Sequence, residues 1–252
     1  RVAAFLSLCL FATFSSYTHT DNKLKTHHSD VHIVSDSKNV IKKSLNSSVR
    51  VLSSFGFFDQ GDVTSSSSGT YLIYNNEHYI ITTAHSLIGD CETTLVLADE
   101  ILYNCIEIML LDHQKDLGIL KVEKIINRKP IKIMDFLNTD NEVFQNTGVN
   151  ESIIYTGYPQ GLGPLTFEGK IVSHRIENGI FFGHSYAWAG SSGSGLFNSK
   201  GKLVGIISAV SVANTEYGVD VMEDLIIITS LRTSDIQETL KGEHDVREED
   251  LH

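Results

Sequence analysis

The residues best suited to covalent chemistry lie in the run 189–198, which reads AGSSGSGLFN. A serine held between glycines on a tight turn exposes its hydroxyl, which needs a neighbouring base before it can attack a carbonyl. Ser192 is the candidate nucleophile. The backbone N–H groups of Gly190 and Ser192 belong to the same turn, where they can converge on the oxyanion that such an attack creates.

The residues after this run distinguish a nucleophile loop from a flexible linker, since glycine-serine stretches are also typical of linkers. Residues 195–208 predict a strand, an Asn-Ser-Lys-Gly turn and a second apolar strand. A buried hairpin directly after the run is not expected for a flexible linker. The spacing also argues against the nucleophile elbow of α/β-hydrolases, which requires a glycine where Ser194 stands.

A base and a carboxylate that can activate Ser192 each lie beside a predicted strand. The hairpin predicted over residues 69–85 places His85 at the end of its returning strand, at the rim of a sheet. Asp116 directly precedes another β-rich run, where its carboxylate can accept the Nδ1–H of the histidine. Asp112 competes for that role. Considered alone, each residue also has a purely structural interpretation: the histidine as a packing residue and either aspartate as a turn residue.

Short strands at regular spacing, without long helices between them, predict an all-β barrel or sandwich. Order is expected to begin near Asn46, with a loop from Gly56 to Ser68 and an Asn75-Asn76 turn in the next hairpin. The predicted parts are a signal-peptide-like segment at 1–18, a polar leader or linker at 19–45, an N-terminal β-barrel with its connector at 46–147, a C-terminal β-barrel at 148–233, and a helix with a charged tail at 234–252. We expect this helix to cover residues 235–240, with Thr233 or Ser234 as its N-terminal cap.

Composition excludes some classes of function. The 252 residues carry a formal net charge of -11 and no stripe of basic residues, which argues against nucleic acid and against membrane surfaces as partners. The apolar run at 1–14 is too short for a comfortable transmembrane helix and predicts a secreted or periplasmic protein. A buried first strand or a signal anchor are the alternatives. His27, His28 and His32 lack a cysteine or carboxylate frame, so we expect solvated histidines rather than a metal site.

Three cysteines are present, and removal of a signal segment that carries Cys9 would leave Cys91 and Cys105 as a pair. If the segment between them is a hairpin, the two thiols can approach each other and form a disulfide in an oxidising compartment. Two buried free thiols are the alternative, because spacing alone does not determine geometry.

His85, Asp116 and Ser192 occur in an order that, together with their local motifs, resembles the chymotrypsin-like serine peptidases. The motifs are Thr-Ala-His ending at His85, Asp-Leu-Gly-Ile-Leu beginning at Asp116, and Gly-Ser-Ser-Gly around Ser192. The resemblance implies two six-stranded antiparallel β-barrels and a short C-terminal helix. The segments 157–161 and 168–173 look like Htr/Deg peptidases, whereas 193–198 is closer to staphylococcal glutamyl endopeptidase. Fewer than twenty residues follow Thr233, so no PDZ domain is expected.

The same resemblance assigns a specificity pocket. Tyr186 and Ala187 are expected to line its floor, and the residues of its wall and substrate-pairing edge are Ser208, Ala209 and Val210. Val210 narrows the mouth and favours a small or medium apolar side chain before the scissile bond. Two departures matter: Ile207 stands where glutamate-specific relatives have a histidine, and Ser191 replaces the aspartate with which digestive trypsins pair a new N-terminus.

These features predict a serine endopeptidase that acts on proteins or peptides through an acyl-enzyme, with neither a metal nor an organic cofactor. No nucleic-acid partner is expected, nor a stable membrane contact beyond a signal anchor. A peptidase-fold binding protein with a weak or inactive site is the alternative. A structural β protein, in which none of the triad positions matters, is a third hypothesis.

Overall fold

The computed structural model describes residues 35–56, 64–136, 148–175, 179–215 and 218–241. The predicted signal segment, the three leader histidines and the charged tail after residue 241 lie outside these ranges. Within them, no helix is both long and apolar enough to cross a membrane.

The first half of the chain forms a closed antiparallel barrel of six strands. Their order around the barrel is β1-β4-β5-β6-β3-β2, and β2 pairs back with β1 to close it. A short seventh strand, β7, adds to β2 in parallel. The strands are β1 Ser48–Ser54, β2 Thr64–Tyr74, β3 Glu77–Thr82, β4 Thr94–Ala98, β5 Ile101–Asp112, β6 Leu117–Val122 and β7 Ile131–Lys132.

The second half forms another closed antiparallel barrel, in the order β10-β13-β12-β11-β8-β9. The fold class predicted from the sequence, two six-stranded barrels with a short C-terminal helix, is therefore confirmed. The strands are β8 Ser152–Gly157, β9 Leu165–Arg175, β10 Ile180–His184, β11 Gly195–Asn198, β12 Leu203–Thr215 and β13 Gly218–Ser230; the helices are α1 Ser35–Ser47 and α2 Thr233–Leu240.

Apolar side chains form three clusters, one inside each barrel and one between them. The alternation of β2 shows the division: Tyr71 points into the first barrel, while Leu72 joins the cluster between the barrels. Phe197 and Ile154 of the second barrel and Phe136 of the connector belong to the same central cluster. Since a one-residue slip of β2 would exchange its two faces, both cores fix its register.

Order begins earlier than the expected Asn46, because helix α1 covers Ser35–Ser47 and includes residues 35–45 of the predicted polar leader. This helix packs through Val40, which is 4% exposed and belongs to the central cluster. Ser44 is also buried, and its hydroxyl bonds to the Thr156 hydroxyl of β8 at 2.9 Å. The buried face combines Val40 with the small polar residues Ser44 and Ser47, so it lacks the wide apolar stripe that usually predicts a core-facing helix.

The predicted loop from Gly56 to Ser68 is also shorter than expected, since β2 begins at Thr64. The serines that end this stretch pair with β1 in antiparallel register, from Ser54 opposite Thr64 to Ser48 opposite Thr70. Serine runs are usually typical of loops. Here the serines form a strand because their backbone pairs with β1, although their sequence lacks the apolar alternation that predicts a strand. By contrast the Asn75-Asn76 turn is confirmed, with both residues at positive φ (48° and 67°) as a two-residue hairpin requires.

Cys91 and Cys105 form a disulfide that links the turn before β4 to strand β5. Their Cα atoms are 5.2 Å apart, and the two cysteines are 14 positions apart in the sequence. Of the two alternatives that the sequence left open, the structure therefore shows the bonded pair.

The disulfide is expected to stabilise the first barrel by restricting its unfolded chain. Replacing both cysteines with serine should lower the free energy of unfolding by about 3 kcal/mol, the value for a loop of this length. Urea denaturation, monitored by circular dichroism, measures this change. Reduction of the wild type with dithiothreitol is the matched treatment, because it breaks the same bond without a substitution. Reductant should lower the wild-type midpoint and leave the variant unchanged; an unaffected wild-type midpoint contradicts the prediction.

A second source of stability depends on pH through His78. The Tyr71 hydroxyl accepts the Ile125 N–H at 3.0 Å and lies 2.7 Å from Nδ1 of His78, to which it can donate its own proton when the ring is neutral. Burial, and then the charge of Lys124, lower the pKa of His78 below its ordinary value. The unfolded chain therefore binds a proton first as pH falls below about 6.5, and stability is lost from there downward.

His78→Asn keeps an acceptor near the Nδ1 position but does not titrate. The loss of stability between pH 7.5 and pH 5 should therefore be smaller in this variant than in the wild type. Urea midpoints at both pH values test this expectation. An equal loss in the two proteins would show that the Tyr71 contact contributes nothing to the acid sensitivity.

Candidate active site

His85 projects from a single helical turn, Ala84–Ser86, that directly follows β3. The residues on either side of it, Ala84 and Ser86, are buried, and the Ser86 hydroxyl lies 2.6 Å from that of Thr83. These contacts anchor the backbone while the imidazole faces solvent, with 53% of its side chain exposed. His85 therefore lies just beyond the end of β3, three residues after Thr82.

Asp116 contacts His85 in two ways. Its Oδ1 accepts the backbone N–H of His85 at 3.0 Å, and its carboxylate oxygens lie 2.9 and 2.8 Å from Nδ1. A carboxylate in this position keeps the proton on Nδ1 and leaves Nε2 free as an acceptor. Asp112, the competitor, instead accepts the N–H groups of Gln114 and Lys115, both at 2.9 Å, and shapes the turn before Asp116.

Ser192 completes the arrangement. Its Oγ lies 3.2 Å from Nε2 of His85, the distance at which a base can take the hydroxyl proton. The same Oγ is 3.4 Å from the Ser208 carbonyl oxygen of β12. The first barrel thus supplies His85 and Asp116, and the second supplies Ser192, so the three side chains meet only where the barrels join.

The turn before Ser192 carries the two N–H groups predicted to hold an oxyanion. Gly190 has φ +96°, and a Cβ there would lie 2.6 Å from the Tyr158 carbonyl oxygen, so only glycine fits. The Ala189 carbonyl accepts the Gln160 N–H at 2.6 Å. Because the peptide is planar and trans, this bond turns the Gly190 N–H the opposite way. In the described part of the chain, the N–H groups of Gly190 and Ser192 have no protein acceptor.

Ser68 of β2 holds the nucleophile turn from the other barrel, and its role was not predicted. Its N–H donates to the Ser192 carbonyl at 2.8 Å and its hydroxyl to the Gly190 carbonyl at 2.7 Å. The hydroxyl also accepts the Tyr158 N–H at 2.8 Å, while the Ser68 carbonyl accepts the Thr82 hydroxyl at 2.8 Å. Four identical serines in a row gave no signal that would single out this one.

The comparisons with known proteins agree with this fold. The sequence matches the family of trypsin-like peptidase domains over residues 67–206, more than half of the chain. The chain belongs to the trypsin-like peptidase family. Among solved structures it is similar to the serine endoprotease from Yersinia pestis, with a TM-score of 0.60 and 18% sequence identity over 81% of this chain and 65% of that chain. This likeness concerns the fold. No curated protein gives a significant match to the sequence.

The resemblance to chymotrypsin-like serine peptidases is therefore confirmed, and one departure from it has a visible consequence. Ser191, at the place of the usual aspartate, is buried and bonds to its own loop: its N–H donates to the Trp188 carbonyl at 2.9 Å, and its Oγ accepts the Trp188 N–H at 3.3 Å. It also bonds to the Tyr155 hydroxyl, whose pKa is raised by burial. This loop of the trypsin-like peptidase is thus held by neutral groups.

The residues expected to form the specificity pocket differ in their exposure to solvent. Ala187 and Ser208 are buried, Val210 is partly buried and Ala209 is exposed. The side chain of Tyr186 is 58% exposed, and its ring stacks on Trp188 with centroids 6.0 Å apart. Its carbonyl accepts the hydroxyl of the buried Tyr155. The backbone of Tyr186 is therefore fixed, while its ring lies at the surface.

Metal ligands were not expected at this site. Over the described ranges, the structure brings together no group of three or more His, Cys, Asp or Glu residues that could hold an ion.

Removal of the Ser68 hydroxyl should loosen the nucleophile turn. Ser68→Ala is expected to lower kcat for peptide hydrolysis by about tenfold to a hundredfold with little change in KM, because small misplacements of reacting groups are costly. Steady-state kinetics measure this, and Ser65→Ala is the matched control on the same strand. A normal kcat with only a lower melting temperature would assign Ser68 a structural role.

Proposed function

We propose that this chain is a serine endopeptidase that hydrolyses peptide bonds through an acyl-enzyme on Ser192. The observation that carries the proposal is the position of one imidazole, His85, with Nδ1 at 2.8 Å from the Asp116 carboxylate and Nε2 at 3.2 Å from the Ser192 hydroxyl. Membership of the trypsin-like peptidase family supports the reaction class.

In the first step, Nε2 of His85 takes the hydroxyl proton as Ser192 Oγ attacks the substrate carbonyl. Asp116 stabilises the imidazolium that results. The N–H groups of Gly190 and Ser192 donate to the oxyanion, and such preorganised donors are worth about two to three orders of magnitude in rate each. Collapse of this intermediate breaks the peptide bond, and His85 gives its proton to the departing amine.

Water completes the cycle. The exposed face of His85 gives a water molecule access to Nε2 once the amine has left. His85 removes a proton from that water, the resulting hydroxide attacks the ester, and Ser192 regains its proton when the acid is released. Each step uses side chains and backbone groups of this chain alone.

Specificity belongs to the proposal as well. Val210 of β12 is partly buried and Ala187 is fully buried. Both side chains are apolar, so neither presents a charge to the residue before the scissile bond. A small or medium apolar residue at that position fits these walls. The Cys91–Cys105 disulfide supports export to an oxidising compartment, where such bonds persist.

Labelling with a fluorophosphonate probe tests whether Ser192 is an activated nucleophile. The wild type should be labelled on Ser192, Ser192→Ala should not be labelled, and His85→Ala should react at least about a hundredfold more slowly. Mass mapping of the modified peptide identifies the site, and circular dichroism shows that the variants are folded.

An absence of labelling in the folded wild type would overturn the enzyme proposal and favour the alternative, a binding protein with the peptidase fold. Ser194→Ala is the matched control, because it removes a neighbouring hydroxyl and leaves the triad in place.

A further inference from the structure

Arg50 is a cation beside the catalytic turn that the proposed mechanism does not use. It lies on β1 opposite Ser68 of β2, the residue that bonds to the Ser192 loop. Because side chains alternate along a strand, Arg50 shares the face of the sheet that Ser66 and Ser68 present to the second barrel. Its side chain is therefore close to the cleft, outside the barrel interior.

The guanidinium is held in place by two elements. Its Nε donates to the Ser66 hydroxyl at 2.8 Å. Its other side lies against Gly161 of the second barrel, where a Cβ would come within 2.8 Å of Nη2 and 3.2 Å of Cζ. Gly161 follows Gln160, whose N–H bonds to the Ala189 carbonyl beside the oxyanion turn. The absence of a side chain at Gly161 thus leaves room for the cation.

The charge of Arg50 is not neutralised within the part of the chain that the structure describes. Its Nη groups have no hydrogen bond or ion pair with those residues. Arg128 of the same barrel is the contrast, since it bonds to Asp99, Tyr158 and the Ser48 carbonyl. The forked donors of Arg50 remain available to a carboxylate, which binds guanidinium in a bidentate manner.

The path of a substrate indicates which residue would meet this cation. In the proposed function, residues before the scissile bond lie along Ser208 to Val210 on one side of Ser192. The chain after the bond must then leave over β2 and the turn that contains Gly161. Ser66 is two residues from Ser68, about 7 Å along the strand, a distance that an extended peptide covers in two residues.

We propose that Arg50, held by Ser66 and Gly161, forms a subsite for an acidic side chain at the second position after the scissile bond. The proposal rests on the peptidase function proposed above and adds a substrate class to it, peptides with Asp or Glu at that position. The ligand is a carboxylate of the departing segment, so the contact assists binding and the placement of the leaving amine.

Matched peptides that differ only at this position test the proposal. With Glu in place of Gln, the wild type should cleave with a kcat/KM about threefold to tenfold higher at low salt, in the range of a partly exposed ion pair. The preference should weaken at higher ionic strength. In Arg50→Gln the ratio should fall to about one, and in Arg50→Glu a Lys peptide should become the better substrate.

Lys124→Gln is the control, because it also removes one positive charge. Lys124 lies beyond the end of β6 that is farther from Asp116, so this variant should keep the wild-type ratio of Glu-peptide to Gln-peptide cleavage. The Gln peptide reports on folding, since its cleavage should change little in Arg50→Gln. Equal cleavage of Glu and Gln peptides by a wild type that is labelled on Ser192 would overturn the subsite alone. No cleavage of either peptide and no labelling would overturn the peptidase function itself.

Discussion

The hydrogen bond from the Ser68 N–H to the Ser192 carbonyl joins the two halves of the active site. His85 and Asp116 belong to the first barrel, Ser192 belongs to the second, and the 3.2 Å contact between Nε2 and Oγ exists only if the barrels meet in one register. Ser68 spans that junction with both its backbone and its side chain. Gly193 has to be a glycine for the same reason, because a Cβ there would lie 2.1 Å from the Ser68 carbonyl oxygen.

Much of the fold follows from local sequence patterns, and the same patterns point to His85, Asp116 and Ser192 as candidate site residues. His85 and Asp116 each adjoin a strand with ordinary β-rich composition, and the glycines around Ser192 predict a turn whatever surrounds it. The Asn75-Asn76 turn is another local signal, since both residues tolerate positive φ. The predictions of the fold and of this turn succeeded because each depends on a few neighbouring residues.

The features that were not predicted depend on contacts between distant segments. Ser68 differs from the serines beside it only because the second barrel lies against its face of β2. Helix α1 is stabilised by burial of Val40 and Ser44 against that barrel, and its own sequence lacks a wide apolar stripe. The backbone of Tyr186 is held by the hydroxyl of the distant Tyr155, a contact with no local signal in the sequence. Tertiary packing decides all three cases.

The interface between the barrels is divided according to what each part must do. Away from the cleft, Leu72, Phe136 and Phe197 supply apolar burial, which is strong but has no preferred direction. Beside the cleft, Ser68 supplies hydrogen bonds, which act only at defined distances and angles. Apolar packing alone would hold the barrels together while leaving the direction of the Gly190 and Ser192 backbone groups undetermined. The serine-rich start of β2 therefore fits a requirement for orientation at the place where an oxyanion would form.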